Sequence, residues 1–305
     1  MSALDDEQRF HAVMAADVRA TLALPGEADD KYRRGVVQLA TGSLTYPGAA
    51  VLSAQASCRA GAGMVRYAGP ERVAAAVLAV RPEVVHGHGQ YQALVIGSGI
   101  PDAREDERAA LLTEAQQAGI PAVVDAGALT LVEPGMRGIV ITPHARELAG
   151  LMRRLGLADW TAADIAHSDG EAAVEAAAKL GCAVLLKGRV TYVVEGEERR
   201  KLRAPNSWLA TAGTGDVLAG IVGAIVAGQV GRGESVCLGA TVAAGAWLHA
   251  RAGWLASQRN AGIEVAPTTV HAPLSMLDHG PHGGPILASD VAAALPGVIA
   301  AVLAK

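Results

Sequence analysis

A single carboxylate stands at the entrance to an otherwise uncharged stretch. The glycine-rich turn "ATAGTGDVLAG" (210–220) runs directly into "VLAGIVGAIVAG", and Asp216 is the one ionisable side chain across both. Gly213, Thr214 and Gly215 can turn successive backbone N–H groups toward an anion, and a helix starting there adds its free N–H groups and its dipole. Asp216 then has two readings. It can cap the helix, a contribution of about 1 kcal/mol. It can also serve as a general base facing a bound phosphate, its pKa lowered by the helix dipole and raised by the phosphate charge. A hydroxyl held between such a carboxylate and a nucleotide's terminal phosphate is set up for phosphoryl transfer. Ala219, Gly220, Gly223, Ala224 and Ala227 are small, which predicts a closely packed, buried helix that holds the carboxylate on a rigid support.

Further polar or small residues follow short apolar runs. "VVQLATGS" ends in Thr41, Gly42 and Ser43, "LVIGSG" in Gly97, Ser98 and Gly99, "AVVDAG" in Asp125, "IVITPH" in Thr142 and His144, and "VLLKG" in Lys187 and Gly188. In an open parallel sheet the ligand cleft lies beyond the carboxyl ends of the strands, so these residues belong to one rim. Lys187 either snorkels out of a strand end or contacts phosphate beside backbone N–H donors. His144, after Pro143 and before Glu147, either caps a helix or touches a ligand. The basic run "RRKLR" (199–203) reads most simply as a solvated hairpin strand. "DHGPH" (278–282), with His271 nearby, matches no standard metal spacing, so no metal site is expected. Neither a P-loop signature nor a G-x-G-x-x-G after an early strand is present, which excludes a P-loop protein and an ordinary dinucleotide-binding dehydrogenase.

The elements that must carry these residues alternate. Strands are expected at 35–43, 64–70 and 93–99, and again at "PAVVDAG", "GIVITPH" and "AVLLKG". Helices are expected at 48–63, 71–80, 104–119, from about 145, near 170–180, at 217–230, at 238–256 and at 288–303. Continuously apolar strands alternating with helices predict an α/β fold with a mostly parallel central sheet flanked by helices on both faces. "VTYVVEGEERRKLRAP" predicts an antiparallel edge hairpin turned at "EGEE". Residues 257–285 are rich in Pro, Gly and His and read as a loop insertion within one domain spanning 1–305. Of the 305 residues, 51% are hydrophobic and 18% charged, enough for a large core. A net charge of −4 and 3% aromatics argue against a nucleic-acid or membrane partner. Three scattered cysteines and a charged N-terminus without an apolar run predict a reduced, cytoplasmic setting.

With these residues assembled, the chain resembles the NAD(P)H-hydrate dehydratase family of the ribokinase-like superfamily. Six ordered segments carry the likeness: "YPGAAVLSAQASCRAGAGMVRY", "VIGSGI", "VVDAGAL", "ITPHARE", "LLKGRVT" and "NSWLATAGTGDVLAG". The likeness runs from "DDKYRRGVVQLATGS" to "ASDVAAALPGVIAAVL", nearly the whole chain. It implies a ribokinase-like fold and an enzyme that repairs hydrated NADH or NADPH. ADP or ATP, with Mg²⁺, would phosphorylate the added hydroxyl, and loss of phosphate would restore the nicotinamide. By this resemblance Ala49, Gly99, His144 and Asp216 contact the hydrated dinucleotide, with Asp216 the catalytic base. Lys187, Gly188, Arg189, Val190, Thr191 and Gly215 hold the adenine nucleotide, and the protein is a homo-oligomer, a tetramer by preference. A kinase for another small molecule and a non-catalytic nucleotide binder are the alternatives. The chain departs from the family pattern at Ser98, at Ala145 and Arg146, and at Pro205, Ser207, Trp208 and Ala212.

Overall fold

A computed structural model of the chain describes residues 9–22, 24–103, 106–266, 269, 271–277 and 281–304. Strands β1 (His11–Ala12), β2 (Val36–Ala40), β3 (Met64–Tyr67), β4 (Val85–His86), β5 (Ala93–Ile96) and β6 (Ala122–Val124) come from the first half. β7 (Ile139–Ile141), β8 (Ala183–Leu186), β9 (Val190–Glu195) and β10 (Glu198–Arg203) complete one sheet of order β1-β10-β9-β8-β7-β6-β5-β2-β3-β4. Pairing is parallel throughout except that β9 runs antiparallel to both β8 and β10.

The strands sort their side chains between two cores with a period of two. Val37, Leu39, Val95, Val123, Val140 and Leu185 face one core, and Ala40, Leu94, Ile96, Val124, Ile141 and Leu186 face the other. Both faces are covered, which is why these strands are apolar at every position but Gln38 of β2. The first core is roofed by α1 (Ala15–Thr21), α2 (Pro47–Arg59), α3 (Glu71–Val80), α8 (Thr214–Gly231), α9 (Leu238–Asn260), the short α10 (Leu274–Leu277) and α11 (Ala288–Leu303). The second is closed by α4 (Ala109–Ala118), α5 (Ala145–Arg154), α6 (Ala162–His167) and α7 (Asp169–Leu180).

Most differences from the sequence expectations are local. The hairpin lies where expected, but β10 is not the outermost strand: His11 and Ala12 pair with Arg200 and Lys201 and form the edge. A two-residue strand carries no periodic signal, so nothing in "RFHAV" announced it. The fourth helix begins at Ala109, with Arg104 and Glu105 outside the described residues. The helix expected to end at 256 continues to Asn260, and four residues of the following stretch form α10. α8 has the length and apolarity of a membrane span, yet 67% of it is buried against the protein's own side chains.

Candidate active site

Gly213 is the N-cap of α8, with φ of 89°, and a Cβ there would lie 2.5 Å from Leu52 Cδ1. Left-handed backbone and lack of space both call for glycine at this turn. Thr214, the first helical residue, ties the loop down by donating its hydroxyl to the carbonyls of Leu209 (2.8 Å) and Thr211 (2.9 Å). Asp216 lies in the first turn, and no side chain caps this helix. Of the two readings of Asp216, the cap is therefore not the one its position serves.

The strand ends converge on a buried charged cluster. Asp125, only 3% exposed at the end of β6, accepts from Ser98 Oγ (3.0 Å), Thr142 Oγ1 (2.7 Å) and Lys187 Nζ (2.9 Å). Lys187 Nζ also stands 3.7 Å from Glu147 Oε2, and a Cβ on Gly215 would sit 3.7 Å from the same nitrogen. The lysine therefore points inward, beneath the turn that opens α8, instead of snorkelling outward. Burial works to protonate Asp125, but the Lys187 ammonium and the three donors hold its pKa below the usual carboxylate range. Burial likewise works to discharge Lys187, and Asp125 with Glu147 keeps its pKa above the ordinary lysine value. Asp216 has no ammonium at bonding distance, only a hydrogen bond from Ser98. Burial first and the Asp125 charge second push its pKa up to about 6, against the pull of Lys187 and Ser98.

A cavity of about 580 Å³ opens beside this cluster. His144, Lys187, Gly188, Arg189, Thr191 and Gly215 all line it, along with apolar walls from Leu202, Leu209, Leu218, Ala246 and Ala250. Val190 does not line it; it sits in β9 opposite Arg203. Ala49 and Gly99 form a separate contact: a Cβ on Gly99 would lie 2.4 Å from Ala49 Cβ, so α2 rests on the bare backbone of the β5 loop. His144 caps α5 in a reciprocal box, its Nδ1 accepting from Glu147 N (3.2 Å) while His144 N donates to Glu147 Oε2 (2.8 Å). It caps a helix and also borders the cavity, on the side of Lys187 and not beside Ala49.

The site thus joins a glycine turn at a helix N-terminus, a carboxylate of raised pKa and a charge-compensated lysine at one rim, and comparison with known proteins gives the family. A family model described as NAD(P)H-hydrate dehydratase matches residues 37–274. The chain is 35% identical over 270 residues to the ADP-dependent (S)-NAD(P)H-hydrate dehydratase of Xanthomonas campestris pv. campestris, covering 80% of this chain and 88% of that one. The chain belongs to the NAD(P)H-hydrate dehydratase family. It is also 40% identical over 234 residues to the bifunctional NAD(P)H-hydrate repair enzyme Nnr of Mycobacterium tuberculosis, covering 72% of this chain. There it spans 47%, about half, of the relative's length. By fold it superposes on the ADP/ATP-dependent NAD(P)H-hydrate dehydratase of Bacillus subtilis co-crystallized with ATP/Mg²⁺, with a TM-score of 0.74 at 24% identity over 95% of this chain and 98% of that one. A ribokinase-like superfamily protein of Enterococcus faecalis gives 0.69 at 22% identity, covering 95% of each chain. The fold is ribokinase-like.

The departures from the dehydratase family pattern acquire physical roles. Ser98, where the pattern has proline, supplies one of the three donors to Asp125. Trp208 turns away from the cavity and donates its Nε1 to the His282 carbonyl (2.8 Å), while Asn206 Oδ1 accepts from Trp208 N (3.2 Å). Arg146 and Ala145 open α5 under the His144 cap. The basic run forms β10, where Arg200 pairs with Glu198 (2.9 Å) and Leu202 reaches the cavity wall. Asp278 and His279 lie outside the described residues, and among those described no three His, Cys, Asp or Glu gather to hold a metal.

Sequence reasoning missed two residues of the site. Arg108, 7% exposed, pairs with Asp106 and donates to the carbonyls of Thr41 (3.2 Å) and Gly42 (2.8 Å), fixing the end of β2. In "REDERAALL" it looks like any charge on an amphipathic helix. His249 lines the cavity from α9, 9% exposed. A lone histidine inside an Ala/Gly-rich helix was the available hint.

Proposed function

We propose that this protein is an ADP- or ATP-dependent (S)-NAD(P)H-hydrate dehydratase. The added hydroxyl of hydrated NADH or NADPH attacks the terminal phosphorus of the donor, whose bridging P–O bond breaks to release AMP from ADP or ADP from ATP. Asp216 takes the hydroxyl proton. The C–O bond then breaks with its electron pair leaving on phosphate, and the proton on the adjacent ring carbon passes to solvent as the nicotinamide double bond is restored. The observation that carries this reading is a carboxylate with its pKa raised to about 6, placed in the first turn of α8. A base near neutrality matches the working pH, and the helix N-terminus favours phosphate beside it.

Lys187, Gly188, Arg189, Thr191 and Gly215, which line the cavity, would bind the donor nucleotide. Lys187 would neutralise its phosphates, and Val190 would act only by keeping β9 in register. Ala49, Gly99 and His144 would contact the hydrated dinucleotide, the first two by close backbone approach. Magnesium would enter on the donor's phosphates, since the described residues gather no cage of their own. Bound there, it would neutralise charge on the phosphoryl group in transfer. The same reading includes a homo-oligomer, a tetramer by preference, in a cytoplasmic setting.

The test is recovery of reduced-nicotinamide absorbance from hydrated NADPH and hydrated NADH, with Mg²⁺ and ADP, ATP or no nucleotide. Recovery that requires a nucleotide and falls by at least about a hundredfold in Asp216→Asn is expected. Folded wild-type protein that binds nucleotide but restores neither dinucleotide would sink the dehydratase reading and favour another small-molecule kinase.

A further inference from the structure

His249 is the buried polar group of the cavity that the proposed chemistry leaves unused. It is 9% exposed, it lines the same cavity as Lys187 and Gly215, and its Nε2 is buried without a hydrogen-bond partner. Its ring contacts the Thr214 backbone, and with Nε2 unpartnered that contact falls to Nδ1. That contact favours the protonated ring, as a backbone carbonyl accepting from Nδ1–H does, which puts the proton on Nδ1 and leaves a lone pair on Nε2. Burial pushes the histidine's pKa down to about 4, and nearby Lys187 adds to the effect, against the opposing Thr214 contact. The ring is therefore neutral near pH 7.

An unmet buried acceptor costs stability, and its natural complement is a ligand group that donates. A phosphate oxygen does not qualify, because it is itself an acceptor. The cavity also has apolar walls, Leu218, Ala246 and Ala250 among them, and these suit a nucleoside rather than its phosphates. We propose that His249 Nε2 accepts a hydrogen bond from the nucleoside half of the donor nucleotide, from a ribose hydroxyl or the exocyclic amine of the base, and so sets donor specificity. The inference rests on the reading of the cavity as the donor site.

Calorimetric titration tests it, using the wild type and His249→Leu with ADP, 2′-deoxy-ADP, 3′-deoxy-ADP, the diphosphate of purine riboside (which lacks the exocyclic amine) and pyrophosphate. Wild type is expected to bind one of the three analogues roughly five- to thirtyfold more weakly than ADP, the loss of one hydrogen bond to a buried acceptor. The analogue that weakens identifies the donor group. His249→Leu should bind ADP and that analogue within about twofold of each other. Pyrophosphate should bind both proteins alike. The nucleotide comparisons are ratios within one protein, and the pyrophosphate comparison uses dissociation constants at the active fraction given by the titration stoichiometry, so a reduced folded fraction in the variant does not imitate the result. Equal binding of all nucleosides by wild type, discrimination that survives in His249→Leu, or a matching loss of pyrophosphate would each overturn the inference while leaving the donor site in place. Failure of wild type to bind ADP or ATP at all would overturn the donor-site reading, and this inference with it.

Discussion

Asp125 and Asp216 share one rim, yet burial acts on them with different results, because Lys187 bonds the first and only faces the second. Asp216 is folded into a pKa above its unfolded value. Its protonated form is therefore favoured in the native state, and the penalty for charging it is absent below the unfolded value and complete above about pH 6. Two consequences follow for one variant. Wild-type turnover should fall as pH drops through about 6, because a protonated Asp216 cannot accept a proton. Asp216→Asn should unfold at higher urea at pH 7.5, by about 1–2 kcal/mol after allowance for solvent screening of a partly exposed group, and gain nothing at pH 4. A variant less stable at pH 7.5 would show that the carboxylate is held by bonds that lower its pKa. Sequence reasoning reached Lys187 and Asp125 because each ends an apolar run, and Asp216 because it opens one. It did not reach their pairing, since Asp125 and Lys187 are 62 positions apart and only the sheet order brings their strands to one rim.

At the level of elements, α8 is held in place by what its glycines omit. A Cβ on Gly220 would lie 2.4 Å from the Ser53 carbonyl oxygen on α2, and one on Gly223 would lie 2.2 Å from Val95 Cγ2 on β5. Ser57 Oγ on α2 also donates to the Gly220 carbonyl (3.0 Å), a bond available only at this approach. α2 in turn carries Ala49 onto Gly99, so a spacer between α8 and α2 is felt at the far wall of the site. Gly220→Val should cost about 2–3 kcal/mol in urea unfolding by overpacking, and should raise KM for the hydrated dinucleotide more than it lowers kcat. An unchanged unfolding midpoint would mean that α2 has room to move. This packing was legible in outline, because Ala219, Gly220, Gly223, Ala224 and Ala227 are small at helical spacing. Which helix they meet was not, since α2 lies more than 150 positions earlier and a bare helix face names no partner. The two-residue β1 escaped for the opposite reason, having too few residues to show any pattern.

Across the whole molecule, the segment after α9 is secured from the core outward. Arg251 is fully buried on α9, stacked over Trp247 (4.9 Å) and Trp254 (5.7 Å), and it donates to the carbonyls of Thr269 (2.9 Å) and Ala272. Burial lowers its pKa to about 10, so it remains charged at neutral pH and needs those carbonyls. Farther on, Gln258 Nε2 donates to Pro281 O (3.0 Å), Gly284 N to Ser257 O (2.7 Å), and Trp208 Nε1 to His282 O. The chain thus returns to the segment that precedes the glycine turn of α8. Composition alone made 257–285 look like a bare loop, because its anchors are backbone carbonyls, which leave no mark on residue type. Arg251→Met keeps much of the side-chain volume and removes the donors. It should cost about 2–4 kcal/mol and release the segment locally before the sheet unfolds. Chymotrypsin then has Leu274, Met276 and Leu277 within reach, and cleavage there should run at least about tenfold faster than in wild type at the same temperature. Cleavage at the wild-type rate, in a variant destabilised by the expected amount, would mean that the carbonyl bonds stabilise α9 itself and that the segment is held by its later anchors at 281–284.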